Sequence, residues 1–200
     1  MKNELEIKVV GRINRILHMS DEGRQKATLA KMRRGIGRLP GELPEIWSLI
    51  MEGVDDSLLN ERFETAFFNA LTLFAWHQQG HDPKDEPMYK EGMTLGKAAA
   101  YLFFKDESGD KEQAKERIIK RFGIITASKD TEDLFSHVKS MVSLLKSKDI
   151  TLDYGDLAKA FYYSSDRDTL ASIYLRWGRD FYGEINKDKT ENNTEEEVNE

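Results

Sequence analysis

Four histidines, a few carboxylate pairs and a run of basic residues are the side chains here that could do chemistry. His77 and His81 stand four apart, a spacing that lets two imidazoles bind zinc from one helix face. Gly80 and Pro83 interrupt that helix and no third ligand follows, while His18 and His137 are isolated. Asp55-Asp56 and Asp106-Glu107 lie in turn-forming sequence and read as caps rather than as an acid–base pair. No serine has the glycine-flanked elbow of a hydrolase nucleophile, and no glycine-rich phosphate loop occurs. Cysteine is absent, which excludes disulfides, thiolate metal sites and a thiol nucleophile. The expectation is a protein that is not an enzyme and uses no metal or cofactor.

The basic residues carry more. Arg24, Lys26, Lys31, Arg33, Arg34 and Arg38 follow one another without an acidic residue between them. At helical pitch Leu29, Met32 and Ile36 share one face, Lys31 and Arg34 point away from it with Arg24 near their stripe, and Arg38 falls on the loop beyond. A second cluster has Ala114, Ile118 and Phe122 inward and Arg117, Lys120 and Arg121 on the opposite arc. Lys139, Lys146 and Lys148 add charge on the next helix, and Arg176 and Arg179 on the last. A basic stripe opposite an apolar one suits tracking of phosphates, since each neutralised phosphate releases a counterion whatever the base sequence. A solvated helix face has the same pattern. Trp47, Trp76 and Trp177 lie in apolar patterns and read as core.

These residues need helices to position them. Nearly every segment has helical period: about 3–19, 20–35 behind a Ser20 cap, a short helix from Pro44, and 58–79, apolar nearly all round and therefore central. Residues 80–93 read as an exposed loop. Thr94, Asp110, Thr131, Asp153 and Asp166 open further helices, the last with Leu170, Ile173, Trp177 and Phe181 inward. The fold class is all-α, eight or nine helices in two bundles over 1–107 and 108–183, with a disordered acidic tail over 184–200. The net charge of −6 argues at first against a nucleic-acid partner. Residues 187–200 hold −4 of it, leaving −2 on the other 186, within which 24–38 is +6. No stretch is apolar and long enough to span a membrane and no secretory leader is visible, so the expected location is cytoplasmic.

Several segments in order complete the reading. Met32-Arg33-Arg34-Gly35-Ile36-Gly37-Arg38-Leu39-Pro40-Gly41 precedes Pro44-Glu45-Ile46-Trp47. Leu73-Phe74-Ala75-Trp76-His77-Gln78-Gln79, Thr94-Leu95-Gly96-Lys97-Ala98 and Arg121-Phe122 follow. Then come Leu144-Leu145-Lys146-Ser147, Leu152-Asp153-Tyr154, and Leu175-Arg176-Trp177-Gly178-Arg179-Asp180-Phe181-Tyr182. Together, over about residues 12–183, they resemble the CasB family, the small subunit of the type I-E CRISPR surveillance complex Cascade. The resemblance implies a non-catalytic all-α protein, present as two copies head to tail, touching the backbone and large subunits. It implies contacts to guide RNA and target DNA strands that stabilise the R-loop and the displaced strand, an exchange nearly balanced in energy that backbone contacts can tip. Carried over by motif are Arg33, Arg34, Lys97, Arg121, Arg176 and Arg179, with pairing of Arg176 to Asp180 the alternative use of that residue. A stand-alone helix-turn-helix regulator using residues 20–39 is the competing reading.

Overall fold

Short polar side chains set where most of the helices begin, and Pro44 opens α3. The computed structural model describes the backbone of residues 4–198 and the side chains of residues 4–187. In order the helices are α1 (Glu4–Leu17), α2 (Glu22–Arg33), α3 (Pro44–Met51), α4 (Glu61–His77) and α5 (Leu95–Phe104). The second half holds α6 (Lys111–Thr126), α7 (Thr131–Ser147), α8 (Tyr154–Tyr162) and α9 (Arg167–Val198). Among the described residues there is no strand, only one isolated parallel bridge between Tyr89 and Leu152. The all-α expectation holds. The α2 cap moves one place: Asp21, not Ser20, accepts the Arg24 amide at 2.9 Å. Asp110, Asp130 and Asp153 cap α6, α7 and α8 in the same way.

Helix α4 is central, as its all-round apolar sequence predicts: Phe67, Phe68, Leu71 and Phe74 are buried on successive faces. Its most extensive neighbour is α8, which also packs on α1, so one core runs through residues on both sides of the expected boundary at 107. A smaller cluster of Ala99, Ala100, Ile118, Phe181 and Ile185 joins α5, α6 and α9. Helix α9 passes through Gly183 unbroken and Ile185 is buried, so packing reaches beyond the expected start of the tail at 184. The side chains from 188 onward, where the rest of that tail expectation falls, lie outside the described residues.

The segment 80–93 is the largely exposed loop its prolines and glycines suggest, but its backbone is tied down. Gln78, buried, donates to the Glu86 carbonyl at 3.0 Å and accepts the Met88 amide at 2.8 Å. Lys90 N donates to Leu152 O at 3.2 Å, and Leu152 N to Met88 O at 3.1 Å. Asp153 accepts the Gly92 amide at 2.8 Å. The Gln78 amide thus ties the loop to the end of α4, and two backbone links and the Asp153 carboxylate tie it to the segment that opens α8, satisfying groups that would otherwise be stranded.

His77 is part of this core. Its Nδ1 lies 2.7 Å from the Tyr154 hydroxyl, and the ring is fully buried. Burial first, then the neighbouring charges of His81 and Lys146, push its pKa down to about 3. The folded protein therefore holds the neutral ring, and its contribution is complete above about pH 6.5 and lost as pH falls below that value. Between pH 7 and pH 5 the loss should be about 2 kcal/mol. Guanidinium unfolding of the wild type and His77→Gln at both pH values checks this. A pH dependence that is the same in both proteins would contradict it.

Candidate nucleic-acid interface

The inward face of α2 is fixed by Leu29, Met32 and the buried Gln25, whose amide donates to Ile16 O and Leu17 O at 2.9 Å and closes α1. That leaves Arg24, Lys31 and Arg34 exposed, as the spacing predicts. Arg24 and Lys31 line a groove with Arg12 and Arg15 of α1. Arg12 is committed to structure: its guanidinium donates to Leu49 O at 3.2 Å and to Glu52 O, closing α3. Burial, then the charge of Arg15, lowers its pKa, and Glu52 acts against both. Arg34 stands 3.4 Å from Glu45 and Arg38 3.5 Å from Glu42, exposed pairs that hold an arginine only weakly. Just beyond α2, Gly35 lets the chain pack on α4, where a Cβ would lie 2.8 Å from Phe68 Cζ.

The α6 cluster divides. Arg117 is tied down, donating to Asp106 Oδ2 at 2.9 Å, Ser108 Oγ at 3.2 Å and Gln113 Oε1 at 2.6 Å. The Ser108 hydroxyl and amide, then Arg117, hold Asp106 at a pKa of about 2. Arg117 therefore clamps the α5–α6 turn. Lys120 stays exposed 3.8 Å from Glu116, and Arg121 is exposed beside His137 and Ser140. Helix α6 packs on α5 and α7 while α2 packs on α1, α3 and α4, so the two basic faces arise in separate neighbourhoods.

Arg176 has a different partner from the one its sequence suggests. It reaches Asp156, buried on α8, at 2.5 Å, and the Trp177 indole donates to the other oxygen at 2.8 Å. Asp180 instead accepts the Thr94 hydroxyl at 2.6 Å. Arg176 is thus a half-buried residue paired to a buried acid, whereas Arg179 is exposed and Lys97 half-buried on α5.

Lys26, Lys139 and Lys146, noted as basic in the sequence but not among the carried-over binding residues, gather with Arg33. Lys139 and Lys146 of α7 lie 5.8 and 5.2 Å from the ring centroid of Trp76, which is half-buried rather than core. Lys146 Nζ also donates to Trp76 O at 2.9 Å and to Gln79 Oε1 at 3.4 Å. Lys26 and Arg33, on the other flank of α2, line a cavity with Gln78, Gln79 and His81. The available signal was the shared spacing of seven residues between Lys26 and Arg33 and between Lys139 and Lys146.

No chemistry assembles around the remaining histidines. His81 lies between Glu86 at 3.5 Å and Asp149 at 3.4 Å, one on each ring nitrogen, so the carboxylates diverge. Among the described residues no group of three His, Asp or Glu could hold a metal ion.

Residues 28–182 match the family model for CRISPR-associated protein Cse2. The chain belongs to the Cse2 family. CasB from Thermobifida fusca shares 29% identity with this Cse2-family chain, with a TM-score of 0.73 over 90% of this chain and 99% of that one. A CRISPR-associated protein of the Cse2 family from Thermus thermophilus aligns at 17% identity and a TM-score of 0.66 over 89% and 97% of the two chains. A chain of a structure described as a CRISPR RNA-guided surveillance complex aligns at 17% identity and a TM-score of 0.67 over 94% and 97%. The last two share the Cse2 fold. No curated protein sequence matches. The resemblance read from the ordered motifs is borne out, and Arg24 and Lys26 lie outside the matched Cse2 segment.

Proposed function

We propose that this protein is the small, non-catalytic subunit of a type I-E RNA-guided surveillance complex, where it binds nucleic-acid backbones without regard to sequence and stabilises the R-loop. The observation that carries this is the Cse2 match over residues 28–182. Its fold likeness to a chain of a surveillance complex supports it. So do the exposed cations Lys31, Arg34, Lys120 and Arg121 on faces opposite buried apolar stripes. Contacts to strand backbones tip a near-balanced exchange of duplex for hybrid, and they must ignore base identity because each guide displaces a different strand. The partners would be the backbone and large subunits, a second copy head to tail, guide RNA and both target strands. Arg117 and Arg176 are set aside from the binding residues, since each already serves a carboxylate of this chain, Asp106 in the turn before α6 and buried Asp156. Among the described residues no helix is long and apolar enough to cross a membrane.

The test is reconstitution with the other subunits, using wild type and a Lys31→Glu, Arg34→Glu, Lys120→Glu, Arg121→Glu variant. The variant should assemble, bind target DNA more weakly, and show a plot of log affinity against log salt that is shallower by about 3. Unchanged affinity and slope would remove these residues from the interface. Tight binding of one defined duplex by the isolated protein would favour the regulator reading instead.

A further inference from the structure

Two pairs of cations meet at the C-terminal end of α4. Lys26 and Arg33 stand seven apart on α2, and Lys139 and Lys146 seven apart on α7. Seven residues make nearly two turns, so each pair forms one stripe about 10 Å long. The stripes are linked in space. Gln79 lines the cavity of Lys26 and Arg33 and accepts from Lys146 at 3.4 Å. Arg33 also lies near enough for its charge, behind burial, to lower the pKa of Lys146. Among the described residues Arg33, Lys139 and Lys146 have no carboxylate partner. Asp82, influenced by Lys26 and Lys84, and Glu86 and Asp149, on either side of His81, are the acids at the rim. Cations gathered without counter-charge repel one another, and an anion relieves that repulsion.

Trp76 decides which part of a nucleic acid fits. Both ammonium groups lie over its ring, at 5.2 and 5.8 Å from the centroid. The Lys146 ammonium is anchored further by the Trp76 carbonyl. A ring that already serves two cations is not free to stack on a base, whereas ammonium groups held over a ring are fixed in direction before a phosphate arrives.

Resting on the nucleic-acid reading above, we infer that the α2–α7 groove is a second phosphate track for a polynucleotide strand. Trp76 is its positioning residue and not a base-stacking platform. The strand is recognised by its phosphodiester chain alone.

The test uses the reconstituted complex with a Lys26→Gln, Arg33→Gln, Lys139→Gln, Lys146→Gln variant, which keeps hydrogen-bonding groups while removing charge. Four lost contacts to a single strand should flatten the salt slope by about 3, so that the wild-type advantage shrinks about 50-fold between 50 and 200 mM salt. If the quadruple variant does not fold, Arg33→Gln with Lys139→Gln should show half the change in slope. Trp76→Leu should lower affinity while keeping most of the slope, because its lysines stay charged, and Trp76→Phe should restore affinity. A photo-crosslinking residue at exposed Ser143, between the two lysines, should mark a strand. Separate labels on guide RNA, target strand and displaced strand identify which one. Wild-type slope in the glutamine variants, or crosslinks to protein alone, overturns the groove. If the groove variant behaves as wild type while the Lys31, Arg34, Lys120 and Arg121 variant is weakened, the groove fails and the nucleic-acid reading stands. If neither variant changes binding, both fail.

Discussion

Replacing Asp156 with alanine should destabilise the protein by about 3 kcal/mol, the sum of a buried indole N–H left unpaired and a half-buried ion pair broken. Asp156 is 3% exposed and serves three donors: Arg176 at 2.5 Å, the Trp177 indole at 2.8 Å and Lys159 at 3.4 Å. Alanine leaves the indole N–H without an acceptor at a fully buried site. It also takes the carboxylate from Arg176, whose side chain is 40% exposed and can turn to water, while Lys159 keeps Glu6 at 3.3 Å. For a chain of this size the melting temperature should fall by about 10 °C. Asp156→Asn should fall between, because it can still accept from Trp177 but no longer neutralises Arg176. Denaturant unfolding of the three proteins checks the order, and an alanine variant within about 1 kcal/mol of wild type contradicts the account.

Gly96→Ala should be comparably severe, against the usual trend. In an ordinary helix the change stabilises by up to about 1 kcal/mol. Here a Cβ would lie 1.9 Å from the Trp177 carbonyl oxygen and 2.8 Å from its Cα, both backbone atoms. Helices α5 and α9 would have to separate, opening the cluster of Ala99, Ala100 and Phe181. The expected net loss is about 3 kcal/mol, at the upper end for overpacking because backbone cannot swing aside. Gly178→Ala is the matched control: it also lies on α9, a Cβ there meets nothing within 4 Å, and it should stabilise the protein. Thermal melts of the two variants should move in opposite directions. Shifts of the same sign would mean that the α5–α9 contact is looser than described.

The helices were legible because their information is local. Apolar spacing, proline at the start of α3 and the capping aspartates each act within four residues, and the family likeness rests on short motifs in order. What escaped was decided by contacts distant in sequence. Arg176 has Asp180 one turn away, yet it pairs with Asp156, twenty positions earlier, because α9 crosses the start of α8 there. Arg117 looked like a free cation on its arc, but the turn before α6 presents Asp106 and Ser108 to it. Residues 80–93 have the composition of a loop, and only Gln78 and Leu152 reveal that their backbone is used. Trp76 sits in an apolar run whose period says core, but α7 covers its ring with ammonium groups instead of aliphatic side chains. Net charge misleads for a related reason, since it averages a basic helix with an acidic terminus.

The position of α8 between α1 and α4 bears on how the chain is made. A growing polypeptide exposes its first half before the second exists, and α1 and α4 find their shared partner only at residues 154–162. Until then Val9 and Phe74, both fully buried in the finished fold, have no α8 against which to close. At about 5–20 residues per second, the roughly 80 residues between the end of α4 and the end of α8 take several seconds to emerge. For that interval the N-terminal half is an apolar surface without its cover, a natural client for a chaperone. The groove at the end of α4 forms later than the helix that carries Trp76, because its α7 wall must first be synthesised. Its α2, α4 and α7 parts all precede α8 in the chain, so the groove is assembled while the core still lacks its last cover.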